Sequence, residues 1–327
     1  MTLSSPENIA FSKARGHASA AVLTKAIVIT GHRGFLGTAV TEHFAVKPYA
    51  TVGVGIADSA RASASACAIE YEIELPDTRF DKVIQEVQPA ALIHCAGTAD
   101  VAASFRDPPT DYRRNVEATA FVLESLRRYA PRCHFVLLSS AAVYGNPRHL
   151  PVSETARCIP ISPYGCHKLI GEQIVDEYVS EHGLKAAVLR IFSAYGNGLR
   201  RQIVYDLCRK LYDDSQHVVQ LFGSGEESRD FIHANDIAAA VEHVVSEQLA
   251  GVYNLACGIE TTIAELAGRL RELSGRKAEI EFTGKSRAGD PHRWQADIGK
   301  LTATGFKPMV TLDDGLNSYL NWYQKLN

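Results

Sequence analysis

The sequence predicts an α/β fold, a Rossmann-type doubly wound parallel sheet with a smaller, interleaved C-terminal lobe. Three observations carry the prediction. Short β-branched runs alternate with longer helical patterns between residues 25 and 192. Several of those runs are apolar almost throughout, as parallel strands covered on both faces must be. The first run passes directly into a glycine cluster and then a helical pattern, "AIVITGHRGFLGTAV", which is how a βαβ unit begins.

In order, strands are predicted at 25–30, 51–57, 67–73, 90–95, 134–140 and 186–192, with helices near 35–46, 77–88, 109–130 and 163–182. After Phe192 the alternation breaks. A Gly/Arg-rich loop (196–201), a helix, the turn "GSGEES" (223–228), one more strand at 251–256 and C-terminal helices follow. This pattern divides the chain into a flexible N-terminal extension (1–24), a Rossmann domain (25–192 and 229–256) and a lobe (193–228 and 257–327). The Ala/Ser-rich stretch 57–68 reads as a loop.

The composition narrows the class. At 327 residues, with 46% apolar and 22% charged residues, the chain has the make-up of an ordinary globular protein with a large core. A net charge of -3 gives no reason to expect nucleic acid or an anionic membrane as partner. The seven cysteines show no CxxC or Cys/His spacing, which suits free thiols in a reducing compartment. No run is long and apolar enough for a membrane span, and the first twenty residues lack the apolar core of a secretory signal. A cytoplasmic protein is expected.

Gly31, Gly34 and Gly37 lie after a strand and at the mouth of a helix. A dinucleotide pyrophosphate needs a tight turn, a close backbone approach and a helix N-terminus facing the anion, and glycines in this spacing meet those needs. Asp58 ends the second predicted strand, where a carboxylate can hold the ribose hydroxyls of NAD and repel the 2′-phosphate of NADP. Arg33 and Arg61 argue the other way, because a guanidinium pairs well with phosphate. NAD is favoured, with NADP left open.

The fifth strand ends at Ser139 and Ser140, on the edge of the sheet where open α/β folds bind ligands. Tyr164 and Lys168 follow at helical i, i+4 spacing, so they share a face. An ammonium near a phenol favours the phenolate and would turn a poor base into a useful one at neutral pH. A serine hydroxyl beside them can donate to a substrate oxygen as charge develops there.

The glycine loop, Asp58, "HCAG" (94–97), Asn115, Ser140 and the Tyr164–Lys168 pair occur in an order that resembles the extended short-chain dehydrogenase/reductases, specifically the nucleotide-sugar epimerases, dehydratases and reductases. The resemblance spans roughly residues 25–325 and includes "SGEESRDFIHANDIAAAV" and "GDPHRWQADIGKL". It implies Tyr164 as catalytic base, Lys168 as its modulator and ribose contact, and Ser140 as hydrogen-bond partner of the sugar oxygen. It implies a cofactor turn of Gly31, Arg33, Gly34, Phe35, Leu36 and Gly37. Glu74 and Leu75 would lie near adenine, Ala96 and Gly97 would line the cofactor, and Asn115 would support the site. Ser193, Arg229 and Arg293 would meet a nucleotide-diphosphate sugar, the arginines through the diphosphate, while Asp230 and Asp236 would shape the lobe. The helices at 109–130 and 163–182 would pair across a homodimer.

Three reactions remain to be separated. Dehydratases of the resembled family carry an Asp–Glu pair after the catalytic hydroxyl, where this chain has Ala141 and Ala142; elimination then has no proton carriers. A 4-epimerase that retains NAD fits "HCAG" and Asp58. A 4-keto-6-deoxysugar reductase using NAD(P)H is the alternative, suggested by "GHRG" (31–34). Ser193 and Ala99 both depart from residues that many epimerases carry. A non-catalytic cofactor-binding regulator is disfavoured, because such proteins lose the Tyr/Lys pair. His32, His94, His167 and His233 have no metal-like spacing and read as ordinary residues; His167 stands where the family often has Ser.

Overall fold

The computed structural model describes residues 25–56, 66–213, 215, 217–285 and 289–326. The proposed extension at 1–24, Asp58, Arg61 and most of the Ala/Ser-rich stretch lie outside the described residues.

In chain order the strands are β1 (Lys25–Thr30), β2 (Tyr49–Gly55), β3 (Ile69–Glu72), β4 (Ala91–His94), β5 (His134–Ser140), β6 (Lys185–Ile191), β7 (Ser193–Tyr195), β8 (Val218–Leu221), β9 (Ser228–His233), β10 (Gly251–Leu255), β11 (Glu260–Thr262) and β12 (Glu279–Phe282). The helices are α1 (Phe35–Ala45), α2 (Arg79–Val87), α3 (Val101–Arg106), α4 (Pro108–Tyr112), α5 (Ala118–Tyr129), α6 (Pro163–His182), α7 (Gln202–Leu211), α8 (Ala234–Ser246), α9 (Ile263–Ser274), α10 (Gly299–Thr302) and α11 (Leu312–Gln324).

Seven strands form one parallel sheet in the order β3-β2-β1-β4-β5-β6-β10. The predicted Rossmann-type sheet is therefore present. Its order reverses between β1 and β4, and ligands of open α/β sheets bind outside the carboxyl ends of the strands at such a switch point. Strand β1 shows why both faces are covered. Ile27 and Ile29 enter one core with Phe44, Ile93 and Val241, while Val28 enters the other with Phe80, Leu92 and Phe135. Neighbouring residues of a strand face opposite ways, so a strand buried on both sides is apolar at every position.

Downstream, β9 leaves the main sheet and pairs parallel with β7 and antiparallel with β11, and β8 pairs with β12. Helices α7, α9 and α11 close a third core here around Leu207, Leu266 and Tyr319. The long helix predicted at 109–130 is two helices joined by a π turn at Arg113–Glu117. Single π turns inside helices are often found at functional sites, and this one holds Asn115. No helix among the described residues is long and apolar enough to cross a membrane.

A buried ion pair ties the sheet to α6. Glu172 on α6 receives Arg190 of β6 at 2.7 Å and accepts from Ser139 of β5, and Arg190 also donates to Tyr144. Both charged side chains are under a tenth exposed. Removing one partner of such a pair leaves an uncompensated buried charge. The pair therefore fixes α6, and the residues it carries, against the end of β5.

Candidate active site

The glycine turn is built by exclusion of side chains. Gly31 has φ +67 and a Cβ there would come within 2.7 Å of the Ala96 backbone, so β1 and the β4 loop can approach only if residue 31 is glycine. At Gly37 a Cβ would strike the Gly31 carbonyl. The Gly31 N–H donates to Val54 and the Gly34 N–H to Gly31, folding the turn under the start of α1. Gly34 caps α1 without a side chain, which leaves the amides of the first turn facing out with the positive end of the helix dipole. Phe35 and Leu36 begin that turn. A cradle with no room for side chains and with exposed amides fits a dinucleotide pyrophosphate.

Arg33 is engaged within this loop. Its guanidinium donates to Glu70 of β3 at 2.8 Å, and His32 Nε2 meets the other oxygen of that carboxylate at 3.0 Å. Gly53 of β2 makes room for the His32 ring, since a Cβ there would lie 2.7 Å from it. Glu70 was not singled out from the sequence; its alternation in "IEYE" shows the face it occupies but not its partner 37 residues earlier.

Across the switch point, Leu75 is buried in the core while Glu74 is exposed and paired at 3.4 Å with Arg114. Below Ala96 and Gly97, His94 bridges Thr30 and Thr119. Burial drops its imidazole to about 3, so it is a neutral spacer. Asn115 donates to Thr98 Oγ1 at 2.8 Å and to the Asp111 carbonyl at 3.2 Å. Its Oδ1 is buried without a hydrogen-bond partner.

The hydroxyl, phenol and ammonium converge as the sequence suggested. Ser140, the last residue of β5, receives the Ala142 N–H on its Oγ at 3.1 Å, and its hydroxyl is near enough to the Tyr164 phenol to favour the phenolate. Ser162 caps α6 by accepting from Gly165, and Ser104 receives the Tyr164 N–H. The Lys168 Nζ lies 6.0 Å from the centre of the Tyr164 ring.

One expectation is corrected. Lys168 was expected to pull the Tyr164 phenol down towards neutrality. Its Nζ instead donates to the Leu138 carbonyl at 3.1 Å. Burial pushes the phenol above its ordinary value; the Ser140 hydroxyl and the Arg201 charge oppose this, and Asp111 adds to it. The i, i+4 spacing places two residues on one face, but a four-carbon side chain can carry its charge past its neighbour to another acceptor. Lys168 itself is pulled down to about 8 by burial, against the opposing charges of Asp111, Cys95 and Glu172.

The two arginines assigned together in the sequence occupy different environments. Arg229 on β9 is half-buried, donates to the Ser228 carbonyl at 2.8 Å and stacks 5.6 Å from the centre of the Trp294 ring. It makes no ion pair among the described residues; Asp290 and Glu227 act on it only at longer range. Arg293 is 63% exposed and forms a bidentate pair with Glu260 at 2.7 and 2.8 Å. Ser193 starts β7, in register with Phe231 of β9. Asp230 accepts from the Cys257, Gly258 and Ala296 amides, and Asp236 from Met309 and Val310. Those carboxylates shape loops of the lobe.

A Rossmann-type sheet with a glycine cradle and a Ser–Tyr–Lys group at its switch point defines a nicotinamide-dependent short-chain enzyme. The NAD dependent epimerase/dehydratase family model matches residues 27–256, and the chain belongs to that family. A UDP-glucose 4-epimerase of Rhizobium leguminosarum bv. trifolii is 30% identical, over 92% of this chain and 98% of its own. A dTDP-glucose 4,6-dehydratase of Streptomyces griseus is also 30% identical, over 72% of this chain and 71% of its own. Among solved structures, a UDP-glucose 4-epimerase of Thermotoga maritima, determined with UDP-glucose, superposes with a TM-score of 0.82 at 26% identity, covering 92% of this chain and 99% of that one. The chain is an NAD-dependent enzyme of the extended short-chain type.

Proposed function

We propose that the chain is a nucleotide-sugar 4-epimerase that oxidises C4 of a UDP-linked sugar and reduces it again on the other face. The observation that carries the reading is the gathering of the Ser140 hydroxyl, the Tyr164 phenol and the Lys168 ammonium at the end of β5, followed by Ala141 and Ala142 in place of acids. Ala141 is fully buried, so no carboxyl group can enter there for an elimination step. The relatives named as UDP-glucose 4-epimerases support the same choice.

NAD, when bound in the glycine cradle, supplies the hydride acceptor at C4 and later the donor. The residues of the chain do the rest. Tyr164 takes the C4 hydroxyl proton and returns it, Ser140 holds that oxygen in line, and the Arg201 charge favours the phenolate. Arg229 takes the diphosphate, for which a half-buried guanidinium not already paired with a carboxylate is suited. Arg293 could join only by leaving Glu260. The Arg33–Glu70 pair favours NAD over NADP, because a guanidinium held by a carboxylate is not offered to a 2′-phosphate. In this reading residues 25–192 and 229–256 form the cofactor half, residues 193–228 and 257–327 the substrate lobe, and α5 and α6 the dimer face.

The test is the cofactor content of the purified protein, followed by incubation with UDP-glucose, UDP-galactose and their N-acetyl and uronic acid forms. The reading expects NAD to copurify and one of these sugars to be epimerised without added cofactor. Empty protein that consumes NADPH one for one with a 4-keto sugar would replace it with the reductase reading.

A further inference from the structure

The sequence left His167 unexplained, and the structure gives it a partner. His167 Nδ1 lies 2.6 Å from Asp111 Oδ2, across 56 residues of sequence. The Asp111 side chain is 4% exposed. Its other oxygen accepts from Thr98 Oγ1, and Thr98 in turn accepts from Asn115 Nδ2. A single chain of hydrogen bonds therefore runs from the Asn115 amide through Thr98 to the Asp111 carboxylate, which is closed from the other side by His167. The edge of the Tyr112 ring packs against the imidazole, with 5.4 Å between centroids and 82° between planes.

We propose that His167 and Asp111 form a positioning pair for the catalytic group: His167 holds the buried Asp111 carboxylate in place and offsets its charge, so that it orients Asn115 and Thr98 without opposing a phenolate at Tyr164. The inference rests on the reading of Tyr164 as the base.

The physical argument concerns a buried anion near a second anion. Asp111 acts on both Tyr164 and Lys168, and at each it favours the protonated form. For Lys168 that is useful, because burial alone would strip the ammonium of its proton. For Tyr164 it is a hindrance, because a phenolate would have to form near a carboxylate. An imidazole donating to Asp111 moderates the second effect while fixing the carboxylate where it still reaches Lys168. The hydroxyl of a serine is a shorter donor and would not span the gap to Asp111. The charged groups acting on Tyr164 are Asp111 from α4 and Arg201 from the start of α7, while the ammonium of Lys168 on its own helix lies 6.0 Å from the ring centre and donates to the Leu138 carbonyl. Those around the imidazole are Asp111 and Tyr112 of α4, with Lys168 next in sequence.

The experiment follows the Tyr164 phenol directly by ¹³Cζ-tyrosine NMR in the NAD-loaded protein, its signal assigned by its loss in Tyr164→Phe. Wild type, His167→Phe and the double variant His167→Phe/Asp111→Asn are titrated, and the remaining tyrosine signals report that the fold is kept. The pair predicts that His167→Phe moves the Tyr164 midpoint to higher pH and that Asp111→Asn in the same chain moves it back. His167→Gln, which keeps a neutral donor, should fall between His167→Phe and wild type. Equal midpoints in wild type and His167→Phe, or a Tyr164 signal that never titrates while the fold persists, would overturn the inference. If Tyr164→Phe still turned over substrate, the reading beneath it would fail separately, since the NMR midpoint is measured without turnover.

Discussion

Tyr164 and Lys168 stand at the carboxyl edge of the seven-stranded sheet, and Arg229 stands in the small sheet of β7, β9 and β11, and the two regions handle charge differently. At the sheet edge the groups are titratable and burial moves them: Lys168 falls to about 8 and Tyr164 rises. In the small sheet the charge is a guanidinium that stays protonated, stacked on Trp294 and without an ion-pair partner among the described residues. A group that must move a proton has to sit where its protonation can change. A group that must hold a diphosphate has to keep its charge at every working pH. The first region should therefore control turnover and the second binding.

Tyr164→Phe tests the first half of that division. It should lower kcat by roughly 10²–10⁴-fold, the usual worth of a general base, with KM and bound NAD little changed. A KM effect of similar size would blur the two regions into one. Arg229→Met should do the opposite, raising KM by about 10–100-fold, as expected for charge-assisted hydrogen bonds of ~1.5–3 kcal/mol, with kcat within a few-fold. Inhibition by UDP checks it without turnover, since the loss should appear equally there.

Lys168→Met separates function from stability. The buried ammonium gives up its proton near pH 8 in the folded chain, whereas an unfolded lysine holds it to about 10.4. Between those values the unfolded state binds more protons, so this residue makes stability rise with pH, by at most about 1.4 kcal/mol per pH unit. Below that window its full desolvation cost is present. Lys168→Met should remove this rise and should not destabilise the protein at pH 7, although turnover is lost; urea melts at pH 7 and pH 9.5 read both. The smallest effect belongs to Arg293→Ala. Its pair with Glu260 is exposed, and solvent screens such pairs so that they contribute little. Less than about a threefold change in KM is expected, and a change as large as that of Arg229→Met would place both arginines in the diphosphate site.

Much of this arrangement is readable in the sequence because it rests on short-range rules. The glycine spacing marks the turn in the sequence even though Gly31 is held by the Ala96 backbone and Val54, and an all-apolar strand such as β1 announces burial on both faces. Ser140 could be placed because strand ends are where such sheets bind. What escaped depends on pairing across long separations. Asp111 lies four residues before Asn115, so a shared helix face could have been suspected, but nothing local points from Asp111 to His167. Strands β7, β8, β11 and β12 have three or four residues each, too few to show a period. The position of the Lys168 ammonium escaped for another reason. Spacing fixes where a side chain begins, and the Leu138 carbonyl decides where this one ends.

The most direct test follows hydrogen at C4. A UDP-hexose deuterated at C4 is incubated with the purified protein in light water and no added cofactor, using the member of the panel that is turned over. Oxidation and re-reduction within one site predict an epimer that keeps its deuterium at C4, and none formed by Tyr164→Phe. Loss of the label to solvent, no epimer from any of the UDP-sugars, or dependence on added NADPH would contradict it.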